Sequence, residues 1–172
     1  LKGKGEINNK FNAFIMKHLE DNGVKTHFID ENTATESLVK QLEMLPVECV
    51  VRNIATGSIC RRLGIEQGIK FDDPLFEFFL KDDDLGDPLI NDNHITAFGW
   101  GTDQEIKEMK LITLKINKIL TKLFDDAGLI LVDYKVEYGR LQTKLLLGDE
   151  FTPDGCRTVS YTHLRAHETY VH

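Results

Sequence analysis

Asp133, Lys135 and Glu137 alternate with Tyr134, Val136 and Tyr138 behind the apolar run 129–132. In an extended strand residues two apart share a face. An acid, a base and an acid therefore line one side, while the aromatic and aliphatic set packs into a core. Three charged groups on one face are costly to desolvate unless they hold an ion or a ligand. The same alternation also suits the wet face of an antiparallel hairpin, and by itself it does not choose between the two. The return run 145–147 leads into Gly148-Asp149-Glu150-Phe151-Thr152-Pro153-Asp154-Gly155-Cys156-Arg157, which adds acids and an arginine close behind the hairpin and favours a site.

A second constellation lies far upstream. Glu48, Val50 and Arg52 alternate with Cys49 and Val51, and Gly57-Ser58 follows where a short helix would begin. Backbone N–H groups and the Ser58 hydroxyl at such a start can hold a phosphate, with Arg52 adding a fork of donors. Ser58 as a simple N-cap and Arg52 as a surface ion-pair partner fit the spacing equally well. The acidic loop Lys81-Asp82-Asp83-Asp84-Leu85-Gly86-Asp87-Pro88 lacks the terminal glutamate of a calcium loop and reads as solvated, Lys81 and Asp87 excepted. His94 has no second histidine or cysteine beside it. His163 and His167 are four apart but have no third ligand, a weak metal signal.

Several elements must position these residues. Asn8 or Asn9 can cap a first helix, with Phe11, Phe14, Ile15, His18 and Leu19 at helical spacing and Gly23 as its stop. Residues 26–29 read as a strand, 31–36 as a polar connection, and 37–42 and 46–53 as strands joined by a bend at 43–46. Residues 74–80, with Phe76, Phe78 and Phe79, read as a buried strand. The clearest helix spans 102–127, opened by a Thr102–Glu105 capping box and closed by Gly128. Its stripe is Ile106, Met109, Ile112, Thr113, Ile116, Ile119, Leu120 and Leu123.

A chain of 172 residues supports one sizeable core and is too short for three domains. Its net charge of −7 argues against a nucleic-acid partner read over a broad phosphate-binding surface. Three cysteines without a CxxC pair fit reduced thiols better than disulfides or a zinc site. No apolar run is long enough to span a membrane, and no signal peptide opens the sequence.

These residues carry a family likeness. Asp133-Tyr134-Lys135-Val136-Glu137-Tyr138-Gly139 resembles the D-x-K-x-E-[FI]-G signature of the phosphoribosylaminoimidazole-succinocarboxamide synthase (SAICAR synthetase) family. Residues 148–157 resemble its G-D-E-x-[ST]-P-D-x-S-R signature, with Cys156 where the family has serine. Residues 46–53 running into Gly57-Ser58 resemble its substrate-phosphate segment. Asn8-Asn9-Lys10-Phe11-Asn12 and residues 123–129 match as well.

The resemblance implies an α+β, ATP-grasp-like fold, a mostly antiparallel sheet packed with helices, its first lobe incomplete. The expected division is 1–45 as the remnant of a nucleotide-binding lobe, 46–157 as the catalytic lobe, and 158–172 as a disordered tail foreign to the family. The family's amino-terminal strands with their glycine-lysine phosphate loop have no counterpart here, and Gly3-Lys4-Gly5 is not assigned to that loop. The implied activity is a cytoplasmic, ATP-dependent ligase of purine biosynthesis that joins L-aspartate to carboxyaminoimidazole ribonucleotide, through an acyl phosphate, giving SAICAR, ADP and phosphate. The implied partners are ATP, Mg2+ and the two substrates, in a homo-oligomer of the full-length parent. The chain alone is expected to have little or no ligase activity.

On that resemblance Glu137 and Asp149 are the candidate magnesium ligands, and Asp133 and Lys135 the catalytic pair. Glu48 lies near the substrate, and Arg52, Ser58 and Arg157 hold the ribonucleotide 5′-phosphate. Lys81, Asp87 and Asp154 are candidates for the aspartate side. Lys40, Leu42 and Met44 form the adenine-side hinge. A hairpin turn centred near Leu141 would set Asp149 opposite Asp133 and leave Glu137 about 13 Å farther along, so a shared ion would need a bulge or another register. The competing readings are another ATP-grasp-like or kinase-like phosphotransferase with no use for the phosphate pocket, and a non-catalytic binding protein with these carboxylates far apart or in solvent.

Overall fold

The computed structural model describes residues 3–161. In chain order its elements are α1 (Lys4–Asp21), β1 (Phe28–Thr33), β2 (Glu36–Val39), β3 (Glu43–Ile54), α2 (Ser58–Leu63), β4 (Lys70–Leu80), β5 (Leu89–Ile90), α3 (Asp92–Ala97), α4 (Asp103–Asp126), β6 (Leu129–Leu141), β7 (Lys144–Gly148) and β8 (Cys156–Ser160). The α+β architecture expected from the sequence is present. β1 and β2 form a hairpin of their own. The large sheet runs β5-β4-β3-β6-β7, with β8 also paired to β6, and every pairing between these strands is antiparallel.

The period-2 pattern sorts the two faces of this sheet. Cys49 and Val51 of β3, Phe78 of β4, and Tyr134, Val136 and Tyr138 of β6 are buried in the core. α4 covers them with Ile106, Met109, Ile116, Leu120 and Phe124. Tyr134 and Tyr138 keep their hydroxyls paired inside the core, Tyr134 donating to Thr113 O (2.7 Å) and Tyr138 sharing a hydrogen with Thr113 Oγ1 (2.7 Å). The other face presents Glu48 and Arg52 of β3 and Asp133, Lys135 and Glu137 of β6. α4 opens with the expected capping box: Thr102 Oγ1 accepts from Glu105 N–H, and the Glu105 carboxylate accepts from Thr102 N–H.

Several boundaries differ from the sequence reading. α1 starts at Lys4, not at an asparagine cap; no side chain caps it, and its first turns are braced by the Glu6–Lys10 and Lys4–Asp154 ion pairs. β1 extends through the polar stretch read as a connection, because almost all of that hairpin is solvated and shows no apolar alternation. β4 begins at Lys70, ahead of Pro74, and its pairing with β3 shifts between Arg52 and Ile54. The bend at 43–46 is an irregularity inside β3: Met44 faces Gly139 and Glu48 faces Glu137, four residue steps against two.

The hairpin turn lies one to two residues beyond the expected centre. Leu141 pairs with Lys144 and Glu137 with Gly148, so Asp133 faces Arg157 of β8 rather than Asp149. Gln142 takes the left-handed backbone (φ 57°) that the turn requires, a role the sequence did not mark with glycine or asparagine.

The division expected at 45/46 falls within β3. One cluster of buried side chains joins Ala13, Ile15, Met16 and Leu19 of α1 to Val47 and Val51 of β3 and to Phe151. Thr158, Val159 and Ser160, expected in a foreign tail, continue β8 and pair with Leu131, Ile130 and Leu129. The His163–His167 pair lies outside the described residues.

Candidate active site

Three cavities follow one another along the polar face of β6, sharing walls. The first, about 260 Å³, is lined by Val50, Arg52, Ser58, Asp133, Lys135 and Arg157 among others. The second, about 340 Å³, shares Lys135, Asp154 and Gly155 with it and adds Glu48, Lys81, Asp87, Glu137 and Asp149. The third, about 550 Å³, shares Lys81, Glu137 and Asp149 with the second and runs on to Lys40, Leu42 and Met44.

Cations dominate the first cavity. The Arg52 side chain is only 5% exposed, so its guanidinium needs partners on every edge. Nε donates to Glu77 (2.7 Å), Nη1 to Asp133 (3.3 Å) and Nη2 to Ser58 Oγ (3.0 Å). Arg157 reaches Asp133 from the opposite strand through Nε (2.7 Å) and Nη2. Its guanidinium lies against Gly57, where a Cβ would stand 2.6 Å from Nη1. Gly57 also has φ 68°. The left-handed φ favours glycine there, and the missing Cβ leaves room for the Arg157 guanidinium beside the start of α2. Ser58 does not cap α2; its hydroxyl is turned to Arg52.

Carboxylates and lysines alternate in the second cavity. Lys135 Nζ donates to Glu48 (2.6 Å) and Lys81 Nζ to Glu137 (2.5 Å). Glu48 and Glu137 are 5% and 4% exposed and directly opposite each other across β3 and β6. Burial raises the Glu137 carboxyl above its ordinary range; Asp149 and Glu48 raise it further, and Lys81 pulls against them. For Lys135 and Lys81 burial alone would lower the ammonium. The hydrogen bonds and surrounding carboxylates outweigh it, so both are raised and stay charged.

Asp149 follows Gly148, the partner of Glu137, and adopts a left-handed backbone (φ 55°). That register brings Glu137 and Asp149 to a common cavity. No group of three or more His, Cys, Asp or Glu forms a metal cluster among the described residues. Magnesium binds through one or two carboxylates, with water and phosphate oxygens completing its shell. Two hard carboxylates lining one cavity, Glu137 raised first by burial and then by the charge of Asp149, fit that mode. Asp87 lines the same cavity and accepts from Asp82 N–H (2.9 Å). Asp154 stands between the first two cavities, held by Lys4 (2.7 Å) and Asn8 (3.4 Å).

The third cavity has a mostly apolar wall. Leu42 and Met44 sit directly on the sheet because residues 139 and 148 are glycines. A Cβ on Gly139 would stand 2.7 Å from Leu42 Cβ, and one on Gly148 2.9 Å from Met44 Cε. Lys40 also lines this cavity, its N–H donating to His27 O (2.7 Å) and its Nζ to Thr26 O (3.2 Å).

The residues singled out in the sequence thus fall along one face: Arg52, Ser58, Asp133 and Arg157 at one end, Glu48, Lys81, Asp87, Lys135, Glu137, Asp149 and Asp154 in the middle, and Lys40, Leu42 and Met44 at the other end. Two further residues were not foreseen. Glu77, in a strand read as buried and apolar, ion-pairs with Arg52 and Arg62. His27 lines the third cavity beside Asp149; its Nε2 is buried without a protein partner, and burial lowers the imidazole. A lone charged residue in an aromatic run, or a lone histidine in a short strand, carries no spacing signal.

The family model described as SAICAR synthetase matches residues 1–169. The phosphoribosylaminoimidazole-succinocarboxamide synthase of Alcanivorax borkumensis is 59% identical over 157 residues, covering 91% of this chain and 66% of that protein. The chain thus spans just under two thirds of the curated relatives it matches. A crystal structure of the enzyme of that name from Ehrlichia chaffeensis superposes with a TM-score of 0.89 at 39% identity, covering 98% of this chain and 76% of that one. A SAICAR synthetase (Type-2) in complex with ADP superposes with a TM-score of 0.91, also at 39% identity, covering 94% and 70%.

Proposed function

Because the chain belongs to the SAICAR synthetase family, we propose that it carries the catalytic face of an ATP-dependent ligase. In this reading the ligase joins L-aspartate to carboxyaminoimidazole ribonucleotide and releases SAICAR, ADP and phosphate. The observation that carries the reading is the sequence of three abutting cavities on β6: guanidiniums and a hydroxyl, then paired lysines and carboxylates, then an apolar slot. A phosphorylated ribose, a reacting carboxylate and an adenine ask for those surroundings in that order.

The ribonucleotide's 5′-phosphate would sit on Arg52, Ser58 and Arg157, placing its base and carboxylate toward Lys135. The substrate carboxylate attacks the γ-phosphoryl group of ATP, forming an acyl phosphate and ADP. The aspartate amine then attacks the acyl carbon, the C–O bond to phosphate breaks, and the amine gives up a proton as the amide forms. Lys135 and Lys81, both held as ammonium ions, offset the negative charge gathered in these steps. Asp133, fixed between Arg52 and Arg157, orients the two guanidiniums. Lys81, Asp87 and Asp154 are the side from which aspartate would approach. Magnesium held by Glu137 and Asp149 would supply charge neutralisation at the phosphates. The Lys40 to Met44 segment would take the adenine, in keeping with the ADP held by the 39%-identical relative. No helix of the described residues is long and apolar enough to cross a membrane. On family membership, the parent enzyme would be a cytoplasmic homo-oligomer.

The deciding experiment measures ADP release by the protein at the length of its relatives. Release should require both L-aspartate and carboxyaminoimidazole ribonucleotide. ADP released without aspartate would overturn the ligase in favour of a phosphotransferase.

A further inference from the structure

We propose that Glu77 of β4 is a positioning residue: it fixes the Arg52 guanidinium so that its Nη edge faces the phosphate end of the site. The inference rests on the reading of that cavity as the phosphate end.

Five charged side chains from five elements form one alternating line: Arg62 of α2, Glu77 of β4, Arg52 of β3, Asp133 of β6 and Arg157 of β8. Glu77 stands opposite Val50 in the β3–β4 register, on the same polar face as Arg52. Its side chain is 10% exposed and uses both oxygens, Oε2 on Arg52 Nε (2.7 Å) and Oε1 on Arg62 Nη2 (2.5 Å). Arg62 in turn lies over the Phe79 ring, 5.5 Å from its centroid, so Glu77 is held from both sides.

The geometry of the guanidinium makes this consequential. Arginine presents five N–H donors in a rigid plane, and turning one edge turns all of them. Glu77 takes the Nε hydrogen; Asp133 and Thr56 O take Nη1, and Ser58 Oγ takes one hydrogen of Nη2. One Nη2 hydrogen remains for an anion beside Ser58. With Glu77 gone, the buried Nε loses its acceptor. The strongest alternative is a two-point pairing of Nε and Nη with the Asp133 carboxylate. That rotation draws the Nη edge off Ser58 and out of the cavity.

Charge alone predicts the opposite outcome. Removing an anion near the cavity makes it more positive, which would tighten a phosphate. Positioning and bulk electrostatics therefore differ in sign. Ribose 5-phosphate is the probe, since it carries the phosphate end without a base, and ADP is the control for the apolar slot. Titration calorimetry on this chain should show ribose 5-phosphate weakened about tenfold by Glu77→Ala. The loss should be only about threefold for Glu77→Gln, whose amide oxygen can still accept from Nε, with ADP unchanged in both. Unchanged or tighter ribose 5-phosphate binding in Glu77→Gln overturns the proposal, and that variant decides alone if Glu77→Ala does not fold. Equal weakening of ribose 5-phosphate and ADP also overturns it, because that marks a general loosening of the sheet. If the unsubstituted chain binds ADP but no ribose 5-phosphate, the phosphate-end reading fails and Glu77 falls with it.

Discussion

Glu137 is buried, faces Glu48 across the sheet and shares a cavity with Asp149, with Lys81 as its counter-ion. Because its carboxyl is raised in the fold, its ionised form is disfavoured there relative to the unfolded chain. It therefore detracts from stability at neutral pH, and the penalty disappears as pH falls through the carboxylate range. Glu137→Gln should accordingly leave the fold as stable as before or more so, by up to about 1 kcal/mol. The advantage should vanish near pH 4, as read by urea unfolding across pH. The same substitution should weaken magnesium-dependent ADP binding at least about tenfold, since neutral amides are poor magnesium ligands. Stability and binding would then move in opposite directions at one side chain. Arg157→Lys should weaken ribose 5-phosphate about tenfold in calorimetry, since an ammonium cannot reproduce the fork that grips Asp133.

At the scale of elements, α4 and β6 are tied by Arg140, which binds Glu105 through Nε (2.5 Å) and Nη2 (3.0 Å). The Arg140 hydrogen bonds, with those from Thr102, outweigh burial and hold the Glu105 carboxyl down at about 2. A depressed acid stabilises above its unfolded value of 4.5 and loses that contribution as pH falls toward 2. Glu105→Gln should cost about 1 kcal/mol at pH 7, and the two melting curves should converge as pH drops through that window. Gly139→Ala should cost about 1–3 kcal/mol in the same assay and weaken ADP, because the new methyl meets Leu42 Cβ and Glu43 O rather than a movable side-chain end. How much of each element was legible follows from how local its cause is. The α4 cap and the two-faced alternation of β3 and β6 are written within a few residues, and both were readable. The β6–β7 register depends on Gln142 accepting a left-handed backbone, which its side chain does not announce. Glu77 acquires its partner only when β4 lies beside β3, 25 positions away from Arg52 in the chain, and no local pattern carries that.

For the molecule as a whole, the shared core from α1 to Phe151 argues for one cooperative unit. Phe151 stacks on Phe11 and packs against Tyr134, and its N–H donates to Asn12 Oδ1 (2.9 Å). Unfolding followed by Trp100 fluorescence and by far-UV circular dichroism should give coincident transitions; a separate early loss of helix signal would restore a boundary near residue 45. Along the same axis, β3 carries Met44, Glu48 and Arg52 at intervals of four, against Gly139, Glu137 and Asp133. One strand thereby acts as a caliper, about 20 Å from first mark to last when measured along the six regular steps of β6 from Gly139 to Asp133. A single inserted or deleted residue between Glu48 and Arg52 would turn Arg52 into the core, and a pair would keep its facing but move the jaw by about 7 Å. Under the proposed function, lineages of this strand should therefore hold its length constant, because the combined reach of two bound molecules would be measured against it.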